Sequence, residues 1–96
     1  MIEKRRLQDL IIEFLSVVVE CLESTAFAND RHIYQQDISF IAKWLSKLHK
    51  GSPPVEVVDE IVSPQTDKVF GDYRKQGTWG ENELAGLKRL QAALHE

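Results

Sequence analysis

The sequence carries a single cysteine, a single methionine, three prolines and five glycines in 96 residues. One cysteine, Cys21, excludes an intramolecular disulfide, and with it the stapled scaffolds of small secreted proteins. So few prolines and glycines exclude collagen-like and low-complexity chains. No apolar run reaches the ~18 residues of a membrane span, because Glu13 and Glu20 interrupt the greasiest stretch. The same glutamates, with no small-residue cleavage site behind them, separate the basic start Met1-Ile2-Glu3-Lys4-Arg5-Arg6 from a signal peptide. Excess positive charge is missing as well. The net charge is −3 with scattered cations, which argues against nucleic acid as a partner. A reducing, cytoplasmic setting is expected, with no membrane contact.

Motifs of chemistry are equally scarce. No glycine-rich loop follows a strand, so phosphate cradles are excluded, and there is no Gly-x-Ser-x-Gly elbow. His32, His49 and His95 lack partners at metal-ligand spacing. A Cys-His nucleophile would need Cys21 to leave an apolar helix face. No cofactor, no metal and no catalytic residue is expected. Leu48-His49-Lys50-Gly51-Ser52 resembles part of the His-x-x-Lys-Gly-Ser stretch of histidine phosphotransfer domains. The position of the phosphorylated histidine is occupied here by Lys47, so the resemblance implies no phosphotransfer.

What is present is helix. With 43% apolar and 28% charged residues, residues 1–96 are expected to form one globular domain. A first helix is expected over about 3–25. Its residues Leu7, Leu10, Ile11, Phe14, Leu15, Val17, Val18, Cys21 and Leu22 make one apolar face, which Ile12 and Val19 widen to roughly 220°. Such a helix should be central and covered on more than one side. Asn29 and Asp30 offer an N-cap for a second helix over 31–50, which Gly51 closes. Ser52 as N-cap and Pro53 at the first helical position open a third. In it Val55, Val57, Val58, Ile61 and Val62 oppose Glu56, Asp59 and Glu60; a strand is the alternative for these β-branched residues. Ser63-Pro64 breaks or kinks it, and a fourth stretch runs over 64–76 to Gly77. Thr78 and Glu81 form a capping box for a last helix over 79–94 with Leu84, Leu87, Leu90 and Leu94. Gly86 inside that helix implies close approach of another.

The expected fold is therefore all-α, an antiparallel four-helix bundle whose third helix is kinked or broken near Pro64, giving four to five helices. Three features could carry function. Glu56, Asp59 and Glu60 form the densest acidic face, suited to a basic protein partner. Tyr73, Arg74 and Trp79 combine residue types enriched at binding hot spots, although Trp79 also suits a plug at the end of the core. Asp37 interrupts the apolar arc of helix two, where a buried carboxylate needs a partner such as an arginine or a Trp indole N–H, or else faces a groove. The expected function is a small binding or regulatory protein, of inhibitor, immunity-like or chaperone-like type, that masks a partner surface. A self-associating homodimer and an enzyme built on Asp37 are the alternatives.

Overall fold

The computed structural model describes residues 2–26, 28–70 and 81–95, with Asn29 described in its backbone alone. The described residues are all-helical: α1 (Lys4–Ser24), α2 (Ala28–His49), α3 (Pro54–Ile61), α4 (Pro64–Phe70) and α5 (Glu81–Leu94). No strand occurs among them, so the β-branched run 55–62 is helix. No helix among them is long and apolar enough to cross a membrane.

Local chemistry sets most of the boundaries. Gly51 ends α2 in the left-handed region, at φ 98°. Its N–H donates to Leu48 O, and the Ser52 N–H donates to Lys47 O. This double bond pattern satisfies carbonyls that the last turn leaves without partners. The start of α3 differs by one residue from the expectation. Pro53 is the N-cap and Pro54 the first helical residue, because two prolines in succession hold the first of them extended. The start of α2 also differs: the helix begins at Ala28, so Asp30 lies in its first turn, where the helix dipole favours an anion. At Pro64 the chain breaks instead of bending. Ser63 caps α4 by accepting the Gln65 N–H on Oγ at 3.2 Å, and Thr66 Oγ1 donates back to Glu60 O at 2.6 Å.

α1 packs against α2 on one side and α5 on the other. Phe14 meets Trp44 of α2 while Cys21 meets Tyr34, so α1 and α2 run in opposite directions. α5 also opposes α1: Gly86 faces Phe14 and Val17, and Asn82 lines one hollow with Ser24 and Thr25. α3 closes on α2, and α4 closes on α5. The core combines Leu7, Ile11, Phe14 and Val18 of α1 with Tyr34, Ile41, Trp44 and Leu48 of α2, then Val57, Ile61, Phe70, Leu87 and Leu90. Phe14 stacks on Trp44 with centroids 6.5 Å apart and presents its ring to Phe70 edge-on at 5.2 Å. Phe40 meets both Trp44 and Phe70 edge-on. Such pairs add roughly 0.5–1.5 kcal/mol each beyond area burial.

Three expectations about burial are corrected. The fully covered arc of α1 holds only Leu7, Leu10, Ile11, Phe14 and Val18, about 100° of the wheel instead of 220°. Ile12, on the far side, is 49% exposed. Two neighbouring helices cannot wrap the girth that the apolar pattern offers. Leu84 of α5 is also exposed, and Glu83 takes the inward position in its place. Gln91 is the second polar residue on that buried face. Its Nε2 donates to Ile61 O at 3.1 Å and to Asp67 Oδ1 at 2.8 Å, tying α5 to the ends of α3 and α4.

Two substitutions test this packing. A Cβ at Gly86 would stand 3.1 Å from Phe14 Cδ1 and 3.3 Å from Val17 Cγ1. Gly86→Ala should change stability by less than about 1 kcal/mol, because its helix propensity offsets the squeeze, whereas Gly86→Leu should cost about 1–3 kcal/mol by overpacking. Gln91→Leu keeps the side-chain bulk but strands the Ile61 carbonyl, and urea unfolding should show a loss of about 1–3 kcal/mol.

Candidate functional site

The face of α3 that carries the acidic residues is set by burial of Val57 and Ile61. At 100° per residue, Asp59 then points straight outward, flanked by Val55 and Val62 on one side and Glu56 on the other. Glu56 and Asp59 are exposed, and so is Val55, at 45%. Val55 thus joins the carboxylates instead of opposing them as the sequence implies. Glu60 turns back toward α2, where Lys47 Nζ donates to its Oε2. That pairing removes Glu60 from the free acidic surface, so the three carboxylates of the sequence divide into two outward and one tethered.

Asp37 is buried, 4% exposed, as its place on the apolar arc of α2 implies. The Trp44 indole N–H is not its partner: Nε1 is buried and makes no hydrogen bond among the described residues. Asp37 lines neither of the two hollows described below. Tyr73, Arg74 and Trp79, and the capping role of Thr78, lie outside the described residues. His32, His49 and His95 are all exposed, and the ring of His32 meets Gln36 Nε2 at 3.2 Å. Among the described residues no group of three His, Cys, Asp or Glu side chains could hold a metal ion.

The structure also assembles a site that sequence reasoning missed. Along the seam of α1 and α5 runs a narrow, mostly apolar hollow of about 130 Å³, over Leu10, Phe14, Val17, Gly86, Leu90 and Ala93, with Glu13 and Arg89 also in its lining. Val17 and Arg89 also line a wider cleft of about 420 Å³. The cleft is bounded by the C-terminal half of α1 (Glu20, Cys21, Ser24, Thr25), by Tyr34 of α2, and by Asn82, Ala85 and Arg89 of α5. Cys21 is therefore a half-buried cleft residue, which corrects its expected place inside the core. Its thiol shares a side-chain hydrogen bond with the Tyr34 hydroxyl. Tyr34 itself is 1% exposed.

The electrostatics of the cleft floor are readable from Tyr34. Burial raises its pKa well above the usual phenol range, and the neighbouring acidic groups Cys21, Glu83 and Asp30 raise it further as they ionise. The floor is thus a neutral phenol across the ordinary pH range. Above it, Glu20 and Arg89 are both exposed, and neither belongs to an ion pair among the described residues, whose pairs are Lys47–Glu60 and Lys88–Asp67.

Comparison with protein-family models, curated proteins and solved structures finds no match.

The raised pKa of Tyr34 has a consequence for stability. In the unfolded chain a tyrosine ionises near pH 10, while the folded phenol stays neutral. Stability is thus retained below pH about 10 and lost as the pH rises above it, toward the folded pKa. Urea unfolding at pH about 9 and about 11 should show this fall, and Tyr34→Phe should reduce it.

Proposed function

We propose that this chain is a protein-binding module that masks part of a partner through the outer face of α3. The observation that carries the reading is Val55, 45% exposed beside the outward carboxylates of Glu56 and Asp59. An apolar contact ringed by like charges suits a basic partner surface. The valine contributes desolvation, and the carboxylates contribute speed of encounter and selectivity. Burial of Val57 and Ile61 seats α3, and the Lys47–Glu60 pair links it to α2 beside this face. Binding, rather than catalysis, is the role these groups serve, in the manner of a small inhibitor, immunity-like or chaperone-like protein in the cytoplasm.

A second reading, self-association, is favoured by Ile12. It stands 49% exposed on α1, one turn from Ser16 and two from the half-buried Val19 on the same face. A second copy of the chain would cover that stripe.

Site-specific photocrosslinking in the native cell separates the two readings. A crosslinking residue at Val55 should trap one basic protein, and the same residue at the exposed Ser39 should not. Reversal of Glu56 and Asp59 to lysine should abolish the adduct. Equal trapping at both positions, or an adduct that survives the reversal, would remove the α3 face from the mechanism. Light scattering then reports on Ile12: a monomeric mass at tens of micromolar leaves the homodimer without support.

A further inference from the structure

The cleft between α1, α2 and α5 has a division of chemistry that the α3 face lacks. Its α1 wall accepts hydrogen bonds and carries negative charge. Ser24 Oγ donates to Glu20 O at 2.8 Å, and Thr25 Oγ1 donates to Cys21 O at 2.9 Å. Both hydroxyl protons are thereby spent on the helix itself, which leaves the oxygen lone pairs to face the cleft as acceptors. The Glu20 carboxylate stands on the same wall. The C-terminal end of α1 adds the negative pole of its dipole there. The opposite wall carries Arg89, a guanidinium with donors only. Asn82, whose amide both donates and accepts, and the apolar Ala85 share the α5 wall, and Val17 adds apolar surface on the α1 side.

Opposite charges that line one cleft without touching each other describe the complement of a ligand bearing both. We infer that this cleft binds a small zwitterion of the α-amino-acid class, with its ammonium group on Glu20, Ser24 and Thr25 and its carboxylate on Arg89. A volume of about 420 Å³ lies within the ~300–1,000 Å³ of small-molecule sites and leaves space for a side chain against Val17 and Ala85. Tyr34 forms a floor that is 1% exposed, so the ligand rests on a fixed surface. An arginine opposite adds directional carboxylate recognition that a lysine would not provide. The α3 face plays no part in this inference, and the two stand or fall separately.

The test is a nitrogen-15 NMR titration of the full chain with each of the twenty free amino acids at millimolar concentration. The N-acetyl and carboxamide forms of the tightest ligand serve as single-charge probes. The expected result is saturable shifts confined to the amides of residues around Cys21, Thr25, Asn82, Ala85 and Arg89. Each single-charge form should bind about tenfold more weakly, as should Glu20→Gln and Arg89→Gln, about one broken charge contact in each case. Both substitutions are at exposed positions, and unchanged spectra of the free variants verify the fold. Three results would overturn the inference: no amino acid shifts these amides, the carboxamide binds as tightly as the free acid, or both variants retain full affinity.

Discussion

The ring of Phe14 holds this molecule together. It stacks on Trp44 of α2, meets Phe70 of α4 edge-on, and lies against the bare backbone of Gly86 in α5. One side chain on α1 thus sets the spacing of three other helices. A core close-packed at this point transmits any change in volume to all of them. The glycine is the counterpart of the ring. With no Cβ there, α5 lies against the Phe14 and Val17 side chains so closely that even a methyl group would press on them.

A second constraint is polar. Where the chain breaks at Pro64, two helix ends leave carbonyls to be satisfied. Thr66 takes the Glu60 carbonyl and Gln91 takes that of Ile61, the latter while also holding Asp67. These bonds fix α3 against both α4 and α5, and the Lys47–Glu60 pair fixes it against α2. With its rotation set in this way, Asp59 and Val55 can only face outward. The outward acidic face of α3 is therefore a consequence of how the interior satisfies its backbone.

The helical class and the break at Pro64 were legible in the sequence because their determinants are local. Gly51 closes α2 and Ser63 caps α4 through bonds to residues within five positions. The depth of burial was much less legible. Ile12, Val55 and Leu84 occupy apolar patterns yet face solvent, while Glu83 and Gln91 face inward. Periodicity shows which residues could be covered, but the number of neighbouring helices decides which are. On α5, Glu83 and Leu84 lie one position apart, and the leucine spacing alone does not choose between them. The cleft escaped sequence reasoning for a different reason. Cys21, Tyr34 and Arg89 come from three helices far apart along the chain, and no spacing rule relates them. The one available signal was Cys21 itself, at the margin of the α1 apolar face near its C-terminal end.

The turn at Gly51 shows a different kind of selectivity. An atom added at its Cβ position would meet nothing within 4 Å, yet the residue sits at φ 98°. Space is open there, but the torsion angle is one that amino acids of ordinary chirality disfavour. The turn between α2 and α3 thus discriminates by handedness and not by size. A mirror-image alanine would settle into it without strain, whereas its natural enantiomer would work against the turn.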